Sequence, residues 1–416
     1  MTQSSSSNPF RIEIQPPRVI PPRPAWVPPP GYIADVPALN YPVDVTPAIY
    51  TRGDMNTAFN QWSGSAVLYD FSPLGAQLFQ AAGHESSTGQ ANIQQTLAFD
   101  FTTLKWSAQN VPLAANPNSA FEALKGTAPD GTPYNPHSYL GLQEMPRAWG
   151  GGPQGSLVRM MMAGTGGTPY YQTIGIADVS KILNGYTPLK ISGQTGPDSE
   201  NNQVKFSVNS TGGSYPLSVQ DIGRQGWWLD VGGNHDYTLF ISKSGAVTQT
   251  PAIHGNNNWA CLMLWEAKNL LILATGGSEG EARTMRIRDL TTGTTRSVQM
   301  NGVVPGGIKL PDGSVQYRPE VLGLQWVEEL GCLVGLDAET SPPTICKITP
   351  PAVNPESAPW TTSVVQLSHW NSGDPAGGTA IRYAQNGNFS KFRWVKTLSA
   401  FVLATSSTTK PQVFSI

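Results

Sequence analysis

The stretch Asn258–Gln299 constrains the fold more than any other, because it reads as short strands in a row with a turn signal at each junction. Trp259–Trp265 (WACLMLW) and Asn269–Thr275 (NLLILAT) are apolar runs of strand length, Gly276-Gly277 stops the second, and Ala282–Asp289 begins a third. Leu290-Thr291-Thr292-Gly293 then makes a tight turn into Thr294–Gln299. Apolar middle strands joined by hairpin turns form an antiparallel meander covered on both faces. Four strands in roughly forty residues is the size of one propeller blade.

A single meander fits many all-β folds, whereas a repeated one restricts the choice. Second-strand candidates recur at Gly75–Gly83, Ser156–Gly164, Trp227–Gly233, Asn269–Gly277, Leu330–Asp337 and Ser399–Ser406. Those around Gly83, Gly164, Gly233 and Gly277 end in glycine, which supplies the positive φ or close approach of a crowded turn. Asp100-Phe-Thr-Thr and Asp289-Leu-Thr-Thr both set an Asx-type turn before a polar hairpin, with Ser242-Lys-Ser-Gly245 as a weaker copy. Trp106 follows the first of these turns and is expected to fill the gap between neighbouring blades. A second echo aligns Trp265, Trp326 and Trp394, each followed by a polar turn and an apolar strand. On this alignment all three tryptophans are largely buried and end the first strand of a blade.

These glycine-ended second strands and blade tryptophans resemble the kelch family of β-propellers, over roughly Gln61 to Ile416. The repeats around Asp337 and Ser406 lack the glycine feature and join through the tryptophan echo. The expected fold is all-β: a six-bladed propeller of four-stranded antiparallel blades. The last meander has only three strands of its own, so a strand from about residues 36–48 is expected beside Gln412–Ile416, closing the ring and removing open edges. Residues 36–416 are then the propeller and residues 1–35 a polar tail with an extended arm.

Composition narrows the function classes. Gly 43 and Pro 36 suit many short strands and turns. Charged residues are 13% and the net charge is -2, which removes a general pull toward nucleic acid or anionic membranes. The N-terminus lacks the basic and apolar regions of a signal peptide, and no apolar run is long enough to span a membrane. Cys261, Cys332 and Cys346 are read as small buried hydrophobes, since their odd count builds no disulfide framework.

Pro9 to Pro47 holds 12 prolines in 39 residues and favours polyproline II. Arg11, Arg18 and Arg23 face a single carboxylate, Glu13, and alternate with Ile12, Ile14, Val19, Ile20, Trp26 and Val27. Proline has already removed part of the chain entropy that docking costs, so this arm suits contact with a neighbouring subunit. Its expected anchors are Arg11, Arg18, Ile20, Arg23, Trp26 and Val27.

Chemical motifs are sparse. The histidines show no metal-ligand spacing, although His137, His254 and His369 each lie near the start of a repeat and are candidates for lining one mouth of a channel. No nucleophile elbow or phosphate-binding loop occurs, and Glu144, Glu266 and Glu328-Glu329 are assigned to outer turns. Galactose-oxidase-like copper chemistry and sialidase-like boxes find no matching residue set. No cofactor is expected. A propeller with an extended arm, low charge and no active-site motif resembles the ring-forming propellers of short-tailed bacteriophage tails. That resemblance implies a non-enzymatic virion protein, a nozzle or tail-tip component contacting copies of itself and other virion proteins, with loops available to a host surface. The alternatives are an intracellular kelch-like adaptor and a carbohydrate-binding propeller presenting Trp149, Tyr170 and Tyr171.

Overall fold

A computed structural model describes residues 21–45, 59, 64–81, 95–109, 140–160, 171–180, 187–192, 203–205, 216–231, 237–253, 260–338, 340, 343–370, 381–382 and 388–416. They are mostly β, arranged as several small antiparallel sheets in a β-propeller-like architecture. The first meander runs Ser65–Leu68, Ala76–Ala81, Gln95–Asp100 and Lys105–Ala108. The second begins Leu142–Met145, Ser156–Met160 and Tyr171–Asp178, with Gln203–Lys205 beyond. The third is Pro216–Asp221, Gly226–Val231, Tyr237–Ser242 and Val247–Pro251.

The stretch that opens the sequence argument forms Cys261–Trp265, Leu270–Ala274, Thr284–Asp289 and Thr295–Asn301. Every residue of Leu270–Ala274 is buried, as its unbroken apolar run requires, whereas in Thr295–Asn301 only Val298 and Met300 are buried. The one-turn helix Glu279–Ala282 takes the first residue of the expected third strand, which starts at Thr284 instead, and is fixed by a capping box in which Ser278 and Glu281 satisfy each other's backbone N–H groups. The fifth meander is Gln325–Val327, Cys332–Asp337, Thr344–Thr349 and Trp360–Val365. Its outer strand pairs in parallel with that of the fourth through Met300↔Trp360 and Asn301↔Thr361, fusing the two into one eight-stranded sheet.

The first strands of successive meanders lie side by side, and Arg393–Val395 of the last returns to Ser65–Leu68 of the first. Apolar clusters fill the spaces between adjacent sheets. One joins Trp228, Leu271, Leu333 and Trp360, and another joins Phe79, Phe99 and Trp106 to Val402 and Val413. Burying each such side chain contributes roughly 1.5–3 kcal/mol.

The last sheet corrects the expected closure. Gln412–Ser415 pairs antiparallel with Tyr32–Asp35 rather than with a strand in 36–48, and Ser368–His369 adds in parallel beyond it. Pro37 and Pro42 carry no N–H for a ladder, and Pro42–Asp44 forms a 3-10 turn instead. The stretch 21–35, assigned by sequence to the arm, is therefore packed on the body.

Two further expectations change. Of the second-strand glycines only Gly277 is described, with φ 119; Gly83, Gly164 and Gly233 lie outside the described residues. The left-handed position that recurs is instead the residue just before or opening each second strand: Gly75, Gly155, Gln225, Asn269, Gly331 and Ser399 all have positive φ. The tryptophan alignment also slips. Trp326 pairs with Leu333 and Trp394 with Phe401, seven residues on in both cases, but Trp265 pairs with Leu270 and matches Val327 and Val395 instead. One residue of slip puts a side chain on the opposite face.

Candidate functional site

The inner strands carry polar side chains that tie each meander to the next. Gln143 donates through Nε2 to the Ser218 carbonyl at 2.9 Å, and Ser218 Oγ donates to the Leu140 carbonyl at 2.7 Å. The Cys261 thiol donates to the Leu324 carbonyl at 3.3 Å. Gln325 bridges to the last meander in both directions, donating to the Phe392 carbonyl at 2.8 Å and accepting from the Trp394 N–H at 2.8 Å. Ser65 donates its N–H to Ser390 Oγ at 2.7 Å, while Gln77 Nε2 donates to Ser65 Oγ and to the Lys391 carbonyl, both at 2.8 Å.

Charged groups are buried among these bonds. Two 3-10 turns, Pro319–Leu322 and Phe389–Lys391, lead into the inner strands of the last two meanders and pack on each other. The Asn388 N–H donates to the Val321 carbonyl at 2.9 Å, and Gly323 lets them approach, since a Cβ there would lie 2.3 Å from the Phe389 carbonyl. The first turn buries Glu320, whose Oε1 accepts from Arg318 Nε at 2.7 Å and whose Oε2 has no hydrogen-bond partner among the described residues. Burial pushes this carboxyl up to about 7 against the pull of Arg318. The second turn buries Lys391, whose ammonium lies 5.4 Å from the Phe389 ring centroid and is lowered to about 7 by burial. Just beyond it, Arg393 donates to the carbonyls of Ser65 and Leu142, and burial lowers it to about 10. Burial pushes the Cys261 thiol up to about 12, so it remains an unreactive thiol.

None of Glu320, Lys391 and Arg393 stood out in the sequence. Arg393 and Lys391 flank a repeat tryptophan in Lys391-Phe392-Arg393-Trp394, and Glu320 follows Pro319 in an otherwise apolar lead-in. Charged residues within otherwise apolar lead-in turns were the available signal.

The expected site residues fall elsewhere. Arg11, Arg18 and Ile20 lie outside the described residues, as do His137 and His254. Arg23 donates through Nη2 to Ser415 Oγ and to the Pro28 carbonyl. Trp26 packs against the apolar cluster that buries Val27, so Val27 is no free anchor for another subunit. His369 is exposed on the edge strand, paired with Ile33. Trp106 is buried as expected and sits 5.0 Å from the Phe99 ring. Trp394 is buried, whereas Trp265 and Trp326 are partly exposed and stack at 4.1 Å, with Trp360 edge-on to both.

Trp149, expected on an exposed loop, is buried edge-on against Trp227, and Glu144, expected in an outer turn, is buried on a strand. Trp149 follows Arg147 in a 3-10 turn that folds it inward, and Glu144 Oε1 accepts from the Tyr69 N–H at 2.7 Å. Tyr170 lies outside the described residues, as does the side chain of Tyr171. Among the described residues no three His, Cys, Asp or Glu side chains are placed to hold a metal ion, and no helix is long and apolar enough to cross a membrane.

No family model matches the chain, and no curated protein matches it. Solved structures that align with the chain include dipeptidyl peptidase 4 of Porphyromonas gingivalis, at 8% identity and TM-score 0.33, with 86% of this chain covered. The chain spans 46% of the length of that peptidase. The major Malassezia sympodialis allergen Mala s 1 is 11% identical at TM-score 0.33, with 86% of this chain and 92% of the allergen covered. An auxiliary nutrient binding protein from Bacteroides thetaiotaomicron is 10% identical at TM-score 0.36, with 86% of both chains covered.

Proposed function

We propose that the chain is a six-bladed propeller used as a rigid, non-enzymatic structural part, of the kind built into bacteriophage tails, assembling in several copies. Side-by-side inner strands that return to the first meander support the blade count. The observation that carries the functional reading is the anchoring of the N-terminal segment. From Pro21 onward it is bound by Arg23 to Ser415, by Val27 in the apolar core and by the ladder of Tyr32–Asp35. Any partner that grips residues 1–20 therefore pulls directly on the sheet that closes the ring. Arg11, Arg18, Ile12, Ile14, Val19 and Ile20 remain as contacts for a neighbouring subunit or another virion protein.

Deleting residues 1–20 tests this reading. The expected result is a protein with unchanged melting temperature that no longer enters the multi-subunit particle. Deletion of residues 1–36 lowers the melting temperature as well, because it strips a strand and Val27 from the body. A chain lacking residues 1–20 that still assembles would overturn the arm's role. In that case the adaptor class is left, detected as a monomer holding one protein partner.

A further inference from the structure

Trp265 and Trp326 stand on the inner strands of the fourth and fifth meanders and stack at 4.1 Å with 23° between their planes. Both remain partly exposed, although Trp360, edge-on to the pair, is fully buried. The Trp360 indole N–H donates to the Pro355 carbonyl at 2.7 Å, and Val353, two residues before Pro355, is 70% exposed. Together they make an apolar platform at the surface, its outer rings held in place by a buried third ring. Rigid indoles lose little freedom when a partner covers them, and tryptophan is enriched among the residues that dominate protein interfaces.

The border of the platform is acidic. Trp326 Nε1 donates to Glu328 Oε2 at 2.6 Å, and Glu328 and Glu329 are both exposed. Neither forms an ion pair among the described residues. On the Trp265 side Glu266 has Arg224 and Lys396 within electrostatic reach and Lys268 is exposed, so the unbalanced negative charge lies beside Trp326. Residues 1–20 carry the opposite balance, Arg11 and Arg18 against Glu13, with Ile12 and Ile14 between them. A guanidinium stacks on an indole face and pairs with a carboxylate through its planar fork, and tryptophan edged by glutamate offers both partners at once. Ten residues of extended chain span at most about 36 Å, so Arg11 has the reach to leave the sheet on which Arg23 and Val27 hold the following segment.

We infer that the Trp265–Trp326 platform, with Glu328 and Glu329 at its border, is the docking surface for residues 1–20 of a second copy of this chain. Arg11 and Arg18 meet the indoles and the carboxylates, and the isoleucines beside Arg11 cover the apolar rim at Val353. This role rests on the assembly in several copies proposed above and gives its arm a receptor. Each copy offers one arm and one platform, so the contact is head-to-tail and repeats from copy to copy.

The test measures self-association of the full chain by sedimentation velocity, with melting temperature as the check on folding. The expected result is concentration-dependent association that salt weakens and that a synthetic peptide of residues 1–20 reverses. The peptide contains no tryptophan, so its binding also shows in the indole fluorescence of the chain. Glu328→Lys combined with Glu329→Lys, both at exposed positions, is expected to weaken association by about tenfold or more. Mixing that chain with one carrying Arg11→Glu and Arg18→Glu is expected to restore association that neither shows alone. Undiminished association of the folded lysine variant overturns the platform and leaves the assembly reading standing. If that variant fails to fold, the peptide decides: one with Arg11→Gln and Arg18→Gln that reverses association as well as the native peptide overturns the docking. A full chain that stays monomeric overturns the second copy as occupant, whether its own residues 1–20 cover the platform or nothing does. That outcome is separable from the assembly reading, which particle entry of the chain lacking residues 1–20 decides.

Discussion

At Glu320 and Lys391 burial acts on groups of opposite sign, and the pH dependence of stability separates them. Glu320 is raised from 4.5 to about 7, so between these values the folded chain holds a proton that the unfolded chain has released. Its contribution is full below about 4.5 and is lost as pH rises to about 7. Lys391 is lowered from 10.5 to about 7, so from neutral pH upward the unfolded chain binds the extra proton and stability rises with pH. Together the two groups place a minimum of stability near neutral pH. Glu320→Gln keeps an acceptor for Arg318 and is expected to gain on the order of 3 kcal/mol at pH 8, flattening the acid limb. Lys391→Met flattens the alkaline limb. Urea unfolding from pH 5 to 9.5 reads both, and a Glu320→Gln curve parallel to that of the parent chain would refute the assignment. A smaller prediction concerns Ser399, held at φ 47. Ser399→Gly is expected to stabilise by about 0.5–1 kcal/mol, because glycine meets no Cβ penalty there.

The hairpin is the repeating element, and its constant is a backbone conformation rather than a residue. In the fourth, fifth and last meanders the first strand ends, three residues turn, and one left-handed residue opens the second strand: Asn269, Gly331 or Ser399. Asn269 suits the position because its side chain finds local partners, donating through Nδ2 to Thr291 Oγ1 at 2.7 Å and accepting from Arg224. The predicted Asx turns formed as expected. Asp289 Oδ1 accepts from the Thr291 N–H at 2.7 Å, and Asp100 Oδ1 from the Thr102 N–H at 2.9 Å. Between the fourth and fifth meanders the slipped register of Trp265 brings it onto Trp326, with Trp360 buried beneath the pair. Trp360→Ala is expected to cost ~3–5 kcal/mol in chemical denaturation. Trp265→Ala should cost less than half of that, since the ring is already partly exposed. Equal costs would mean that the stack, not burial, dominates.

For the whole molecule, closure rests on apolar burial more than on charge. Ile33 is 1% exposed at the centre of the closing strand, while the Arg382–Asp35 pair beside it has side chains 21% and 33% exposed. A partly exposed pair contributes about 0–1 kcal/mol, against 2–5 kcal/mol for truncating a buried isoleucine. Ile33→Ala is therefore expected to lower the melting temperature well beyond Arg382→Ala. The reverse order in paired thermal scans would show that the ion pair holds the ends together.

Periodicity and turn chemistry are local, so the sequence by itself determined that the chain is mostly β, where the apolar second strands lie and which Asp residues start turns. Which lead residues close the last sheet was not local. Tyr32–Asp35 was chosen by the fit of Ile33 into the apolar layer of Phe392, Phe401 and Phe414. The one-residue slip of Trp265 shows only in the strand pairing, where Trp265 takes the place of Val327 and Val395 at the end of the first strand while the hairpins keep one length. The buried charges were least legible. Glu320, Lys391 and Arg393 look like ordinary surface residues in a string of letters, and only packing of lead-in turns and inner strands removes water from them. Desolvation is set by surroundings drawn from distant parts of the chain, so the candidate site belonged to tertiary structure alone.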